Sequence, residues 1–343
     1  MRSLAKALLV AAVIGLGVFY ALTLPSVLPP DAFGPRTPDL ANGETLFNIG
    51  GCASCHATPG QDNRLRLGGG LALKSPFGTF KVPNISSDAS AGIGAWTEVQ
   101  FANAILRGIG RNGEHLYPSL PYTSYQRMPP GDVRDLFAFL KTLAPDSTAS
   151  QPHALPFPFN VRRLIGLWKL LFLDGKTFTP NVAKDAQFNR GAYLVEGPGH
   201  CAECHSGRNF LGAINSSRRF AGGADLEGDG WVPNITPHPD GLTGWSVADF
   251  ELFFSTGLTP DGASVSGNMG EVIRNTAKLG PEDRRAIAAY LMMLPSRPGA
   301  KPPKRNALPN PRGDSQGQVI KLGCWCSWSI DRTPGGDISQ RLK

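Results

Sequence analysis

The chain has 343 residues, enough for two domains of ordinary size plus linkers, and its 41% hydrophobic and 18% charged content marks it as globular rather than disordered. The formal charge of +7 sits at the two ends, with nine Lys or Arg against three Asp in 296–343 and Arg2 and Lys6 at the front. The middle is therefore near neutral, which excludes the basic face that nucleic-acid binding needs. No long alternating run of Val, Ile and Thr is present, and Gly (41) and Pro (30) are abundant, so an all-α fold with long loops is expected.

Residues 1–30 read as a signal or anchor segment. Arg2 and Lys6 precede an apolar run over 7–24, with the positive end retained in the cytoplasm and the remainder exported. Eighteen apolar residues are about the least that spans a bilayer, and no Ala-x-Ala cleavage site follows. An uncleaved anchor is the expectation, with a removed signal peptide as the alternative. Either places the chain in the periplasm.

Residues 31–147 read as a first domain. A short helix around Gly43-Glu44-Thr45-Leu46-Phe47 leads into Cys52-Ala53-Ser54-Cys55-His56. Cys-x-x-Cys-His has a geometric reason. Two thiols one helical turn apart form thioethers to the two vinyl groups on one edge of a haem, and the next residue sets an imidazole against the iron. A zinc or thioredoxin-like Cys-x-x-Cys site would leave the His unexplained. Further helices are expected to open at Thr97-Glu98 and to carry Val133, Leu136, Phe137, Leu140 and Leu143 on one apolar face.

Residues 148–185 read as a Pro-rich linker holding a basic, apolar helix over 161–173, too short to span a membrane. That helix either lies at a membrane interface or against a partner subunit, or is clamped between the domains. Residues 186–296 repeat the first domain. Cys201-Ala202-Glu203-Cys204-His205 follows Cys52 by 149 positions, Val232-Pro233-Asn234-Ile235 follows Val82-Pro83-Asn84-Ile85 by 150, and Trp245 follows Trp96 by 149. Asp283 to Leu294 echoes Asp132 to Leu143 at 151. Two tandem haem domains are thus expected, with two haem c groups. Residues 297–343 read as a disordered basic tail, and Cys324-Trp325-Cys326 within it has the wrong spacing for haem.

An electron carrier gains from a closed, six-coordinate iron, and Met is the usual second ligand. Of five Met, Met1 starts the chain and Met292-Met293 fall inside the last helix, which leaves Met269 and Met128. Met269 lies in a Gly-rich loop before the closing helix. Met128 stands only four residues before Asp132, and the position facing Met269 falls near Leu120, so a five-coordinate or His115-ligated first iron stays open. The backbone around Pro59 is the expected acceptor for His56 Nδ1, with the acceptor for His205 coming from elsewhere. Arg208 is expected either to balance haem propionates or to be solvated, and His153, His200 and His238 to be loop residues. Trp96 and Trp245 are expected to donate to a propionate or to pack on haem.

These residues resemble the cytochrome c subunits of bacterial membrane-bound dehydrogenases for alcohols, aldehydes and sugar acids. The carriers are the two haem motifs, the repeated Val-Pro-Asn-Ile, Gly191-Ala192-Tyr193-Leu194-Val195-Glu196-Gly197, Leu116-Tyr117-Pro118, and Asn268-Met269. The resemblance covers about residues 40–295 and implies an electron-transfer protein. Its donor would be a membrane-bound dehydrogenase subunit or quinol, and its acceptor a cytochrome or terminal oxidase. In that family the Leu120 position is Met, and three haems are usual where this chain has two motifs. A dihaem peroxidase with one open iron, and a haem-stabilised scaffold, are the alternatives.

Overall fold

A computed structural model describes residues 1–225 and 230–299. The helix α1 (Arg2–Leu22) is apolar on every face from Ala7 onward and has no buried residue; at 1.5 Å per residue it is about 30 Å long, a bilayer's hydrocarbon thickness. Then come α2 (Leu40–Ile49), α3 (Cys52–His56), α4 (Glu98–Arg107), α5 (Tyr122–Tyr125) and α6 (Pro130–Thr142). The connecting helix α7 (Arg163–Phe172) precedes a second series: α8 (Ala186–Glu196), α9 (Cys201–Cys204), α10 (Val247–Thr256), α11 (Gly267–Thr276) and α12 (Pro281–Leu291).

The fold is mostly helical, as expected. Among the described residues its strands are two short antiparallel pairs, β1 (Ala72–Ser75) with β2 (Gly78–Lys81), and β3 (Gly223–Ala224) with β4 (Trp231–Val232). The first pair closes over the two-residue turn Pro76-Phe77, after which Gly78 opens β2 at φ 118°, and neither pair is long enough to leave a periodic signature.

The helix starts are set locally. Thr97 and Ser246 cap α4 and α10 through reciprocal bonds with Gln100 and Asp249, and Asp39 and Asp185 cap α2 and α8. Pro130 and Pro281 open the closing helices α6 and α12, where their missing N–H costs nothing. In each half the first helix crosses the closing helix at a glycine. A Cβ on Gly43 would lie 2.2 Å from the Asp135 carbonyl oxygen, and one on Gly191 1.8 Å from that of Ala286. Those crossings bury Leu46, Phe47, Val133 and Leu140 in the first half and Leu194, Val195, Ile287 and Leu291 in the second, all in one continuous apolar cluster. Arg297 carbonyl oxygen accepts from Asn234 Nδ2 and Thr236 Oγ1, so the chain past α12 stays bonded to the second half. The tail expected to be disordered, with Cys324 and Cys326, lies from 300 onward outside the described residues.

Candidate haem sites

Each haem motif sits on a short helix whose preceding residue is left-handed: Gly51 (φ 60°) before α3 and His200 (φ 39°) before α9. The two cysteines of a motif are three residues apart, hence about one turn apart on a common face, and the following His stands at the helix end. Burial pushes the Cys52 and Cys201 thiols up to about 12 and pulls His56 and His205 below the usual imidazole range.

The His56 acceptor is not where the sequence suggested, while that of His205 comes from outside its own motif as expected. His56 Nδ1 donates to the Pro83 carbonyl and His205 Nδ1 to that of Pro233, both at 2.8 Å. Pro59 plays no such part, because the chain turns away and the Val-Pro-Asn-Ile segment, 27 residues on, lies under the ring. Nδ1–H is thereby fixed and the Nε2 lone pair is left for a metal. The Asn that follows explains the rest of the repeat. Asn84 Oδ1 accepts from Ser86 N while its Nδ2 donates to Asp146 and Thr148 carbonyls, and Asn234 does the same with Thr236 N and Arg297. A further pair of glycines serves both motifs. Gly69 N donates to His56 O and Gly222 N to His205 O, each at 2.9 Å with positive φ, where a Cβ would strike the segment supplying the proline.

The distal sides differ. Met269 lies in the first turn of α11, half-buried against the core. Met128 is wholly buried, and its N–H donates to Tyr125 O just as Leu279 N–H donates to Thr276 O. Each of these two residues stands two before the opening proline of a closing helix, so Met128 occupies the place of Leu279 and not of Met269. Paired bridges, Ile109 with His115 and Leu258 with Ser264, keep the halves in register at 149, which carries Met269 back to Leu120. His115 is no ligand candidate. Its Nε2 is bonded to Thr23 O at 2.9 Å and its Nδ1 lies 3.2 Å from Lys169 Nζ, so both ring nitrogens are engaged.

Each motif is also bonded to the opposite half. Ser54, inside the first, accepts from Asn275 Nδ2 of α11 at 2.8 Å, and Glu203, inside the second, accepts from Thr123 and Ser124 of α5 at 2.8 and 2.9 Å. Each haem-attachment helix is thus bonded to the distal segment of the other half. Burial raises the Glu203 carboxyl, but Arg208 and the two hydroxyls outweigh it and hold it below its ordinary range. Arg208 is accordingly not a solvated surface residue: its Nη2 meets Glu203 Oε2 at 2.7 Å. His200, expected as a plain loop residue, reaches across to Gly50 O (3.2 Å) and stacks edge-on against Tyr125. Its signal was in the repeat: it replaces Gly51 at a left-handed position, where a non-glycine residue is strained and needs a reason to stay. Trp96 and Trp245 pack against the core, Trp245 touching Phe250 and Phe253.

A cytochrome c family model matches residues 40–144. A dihaem cytochrome c-type protein of Cereibacter sphaeroides is 46% identical over 297 residues, covering 86% of this chain and 99% of that protein. The fructose dehydrogenase cytochrome subunit of Gluconobacter japonicus is 38% identical over 78% of this chain. The gluconate 2-dehydrogenase cytochrome c subunit of Pantoea cypripedii is 32% identical, also over 78%. The match takes in 55% and 64% of those two subunits, respectively. Nothing in these relatives supports a peroxidase.

Proposed function

The chain belongs to the dihaem cytochrome c family and carries two c-type haems with iron, and we propose that it relays electrons from a membrane-bound dehydrogenase, or from quinol, to a respiratory cytochrome or terminal oxidase. It is an electron-transfer protein rather than a catalyst of substrate chemistry. Each haem, when bound, supplies a one-electron Fe(III)/Fe(II) couple, so two of them match the two electrons that oxidation of an alcohol or sugar releases.

In this reading Cys52 and Cys55 hold one haem and Cys201 and Cys204 the other, by thioethers. His56 and His205 are the proximal ligands, oriented by Pro83 and Pro233. Met269 is the sixth ligand of the second iron. Met128 is the thioether offered to the first, from the start of the closing helix. The helix α1 anchors the protein in the inner membrane with both halves in the periplasm, which favours an electron donor that is itself membrane-bound.

The observation that carries the relay is that each motif is bonded to a helix of the opposite half, through Ser54–Asn275 and Glu203–Thr123/Ser124. It holds the two attachment helices at a fixed separation, and electron transfer falls off steeply with distance and with reorganisation. The dehydrogenase partner rests on the printed names of the relatives. The test is affinity purification of the tagged, haem-loaded chain from detergent-extracted membranes. A flavin- or quinone-linked dehydrogenase should come with it, and that enzyme's substrate should reduce both haems. Recovery of the chain alone, reducible by no membrane dehydrogenase, contradicts the proposal.

A further inference from the structure

The helix α7 is bound to the last turn of α1, and the surface around that junction is apolar. Arg163 lies over the Tyr20 ring at 4.3 Å and donates to Tyr20 O at 3.3 Å. Gly166 faces Thr23, the buried residue ending α1, so closely that a Cβ would lie 2.8 Å from the Thr23 Cβ. His115 donates to Thr23 O, and just beyond, Leu28 N donates to Asn103 Oδ1 at 2.7 Å and Arg107 to Ser26 at 2.8 Å. The exit of the long apolar helix is therefore fixed to the body of the protein by at least five contacts and does not hang on a loose tether.

On the inner face of α7, Lys169 is buried and donates to the Arg107 and Gly108 carbonyls. The outer face is left open: Leu170 is 59% and Leu171 68% exposed. The apolar surface continues on both sides. Trp168 Nε1 donates to Leu211 O at 2.9 Å, which ties α7 to the loop carrying Phe210, 90% exposed. Phe77 touches both that loop, at Gly212, and Phe159, beside the 79% exposed Phe157.

We propose that this face, α7 with the flanking Phe157 and Phe210, is a platform that rests on the lipid bilayer around the exit of α1. It rests on the reading of α1 as a retained membrane anchor. A soluble surface seldom gathers so many exposed Leu and Phe without covering them. Ten residues of helix reach only about 15 Å, too short to cross, which leaves the interfacial plane. Continuity with α1 selects lipid over a protein as the occupant, since the last apolar turn of the anchor and the start of the platform are in contact. Arg163, over the Tyr20 ring at the end of α1, supplies a cation at the level expected for lipid headgroups. The arrangement turns the loop after the second haem motif, residues 206–216, towards the membrane, beside the first-half residues Asn103, Arg107 and His115 that hold the exit of α1.

The test places a photo-reactive leucine analogue at Leu171, at Leu16 within α1, or at the exposed Leu40 at the start of α2, in full-length, haem-loaded protein in native membranes. These isosteric changes leave folding intact. Irradiation followed by mass spectrometry should give lipid adducts at Leu16 and, several-fold above Leu40, at Leu171. Lipid on Leu16 with Leu171 as bare as Leu40, or joined to a protein instead, overturns the platform and leaves the anchor standing. No lipid on Leu16 overturns the anchor reading and the platform with it.

Discussion

The two haem halves agree on the proximal side and part company on the distal side. Both hold the imidazole with a proline carbonyl at 2.8 Å, both use a positive-φ glycine under the histidine carbonyl, and both follow the proline with an asparagine that ties down the chain beyond the closing helix. Among the methionine candidates, Met269 of the second half corresponds to Leu120, and Met128 of the first corresponds to Leu279. Attachment and orientation tolerate little variation because they are fixed by covalent geometry. The distal side sets potential and accessibility, and there a duplicated domain is free to diverge so that its two irons differ.

The largest expected effect uses that exchange of residues. Leu is already what each half has at the other's methionine position, so Met269→Leu and Met128→Leu should both fold. Met269→Leu should turn the second haem high-spin and lower its potential by on the order of 0.1 V, a modest part of the ~0.8 V range that axial ligands span. Met128→Leu should do the same to the first haem alone. Optical spectra and redox titration of each variant distinguish the two irons, and an unchanged low-spin spectrum in Met128→Leu removes that residue from the ligand set.

The second comparison concerns the paired helix crossings. Gly191→Ala would bring a Cβ to within 1.8 Å of the Ala286 carbonyl oxygen, where only backbone movement gives room. A loss of about 1–3 kcal/mol is expected by chemical denaturation, with a similar loss for Gly43→Ala at 2.2 Å from Asp135. A neutral result at either position would show the crossings to be looser than described.

A smaller effect is expected at the junction of α1 and α7, which only the first half possesses. Burial holds His115 below its ordinary range, and the cations of Lys169 and Arg163 add to this; Arg162 donates to its carbonyl and Thr23 O faces its Nε2. Burial also brings Lys169 down to about 7. Both groups therefore bind a proton more readily when the junction is open. The Lys169 contribution is lost as pH falls from 10.5 towards 7, and that of His115 as pH falls below 6.5. The protection of α7 amides, measured relative to their intrinsic exchange rates, should fall on acidification, and His115→Gln should flatten the acid limb. Exchange that is flat with pH would contradict this.

Much of the fold was legible because its signals are local. The haem motifs, the capping residues Thr97 and Ser246, the apolar spacing of Leu136 and Leu140 and the repeat offsets all lie within a few residues or a constant interval. The site was half legible. Cys-x-x-Cys-His announces attachment, but the acceptors Pro83 and Pro233, the Glu203–Arg208 pair with its two hydroxyl donors, and the His115–Lys169 contact join elements whose approach only the tertiary fold decides. His200 was readable in hindsight, since setting it beside Gly51 shows a side chain held where its twin has none.

The account stands on two haems joined to one polypeptide, and intact-mass measurement of protein matured in a periplasm competent for cytochrome c assembly tests this most directly. The mature chain should exceed its polypeptide mass by two haem groups, fall to one in Cys201→Ala/Cys204→Ala, and fall to one in Cys52→Ala/Cys55→Ala. A mass equal to the bare polypeptide, or a single haem unaffected by either pair, would contradict it.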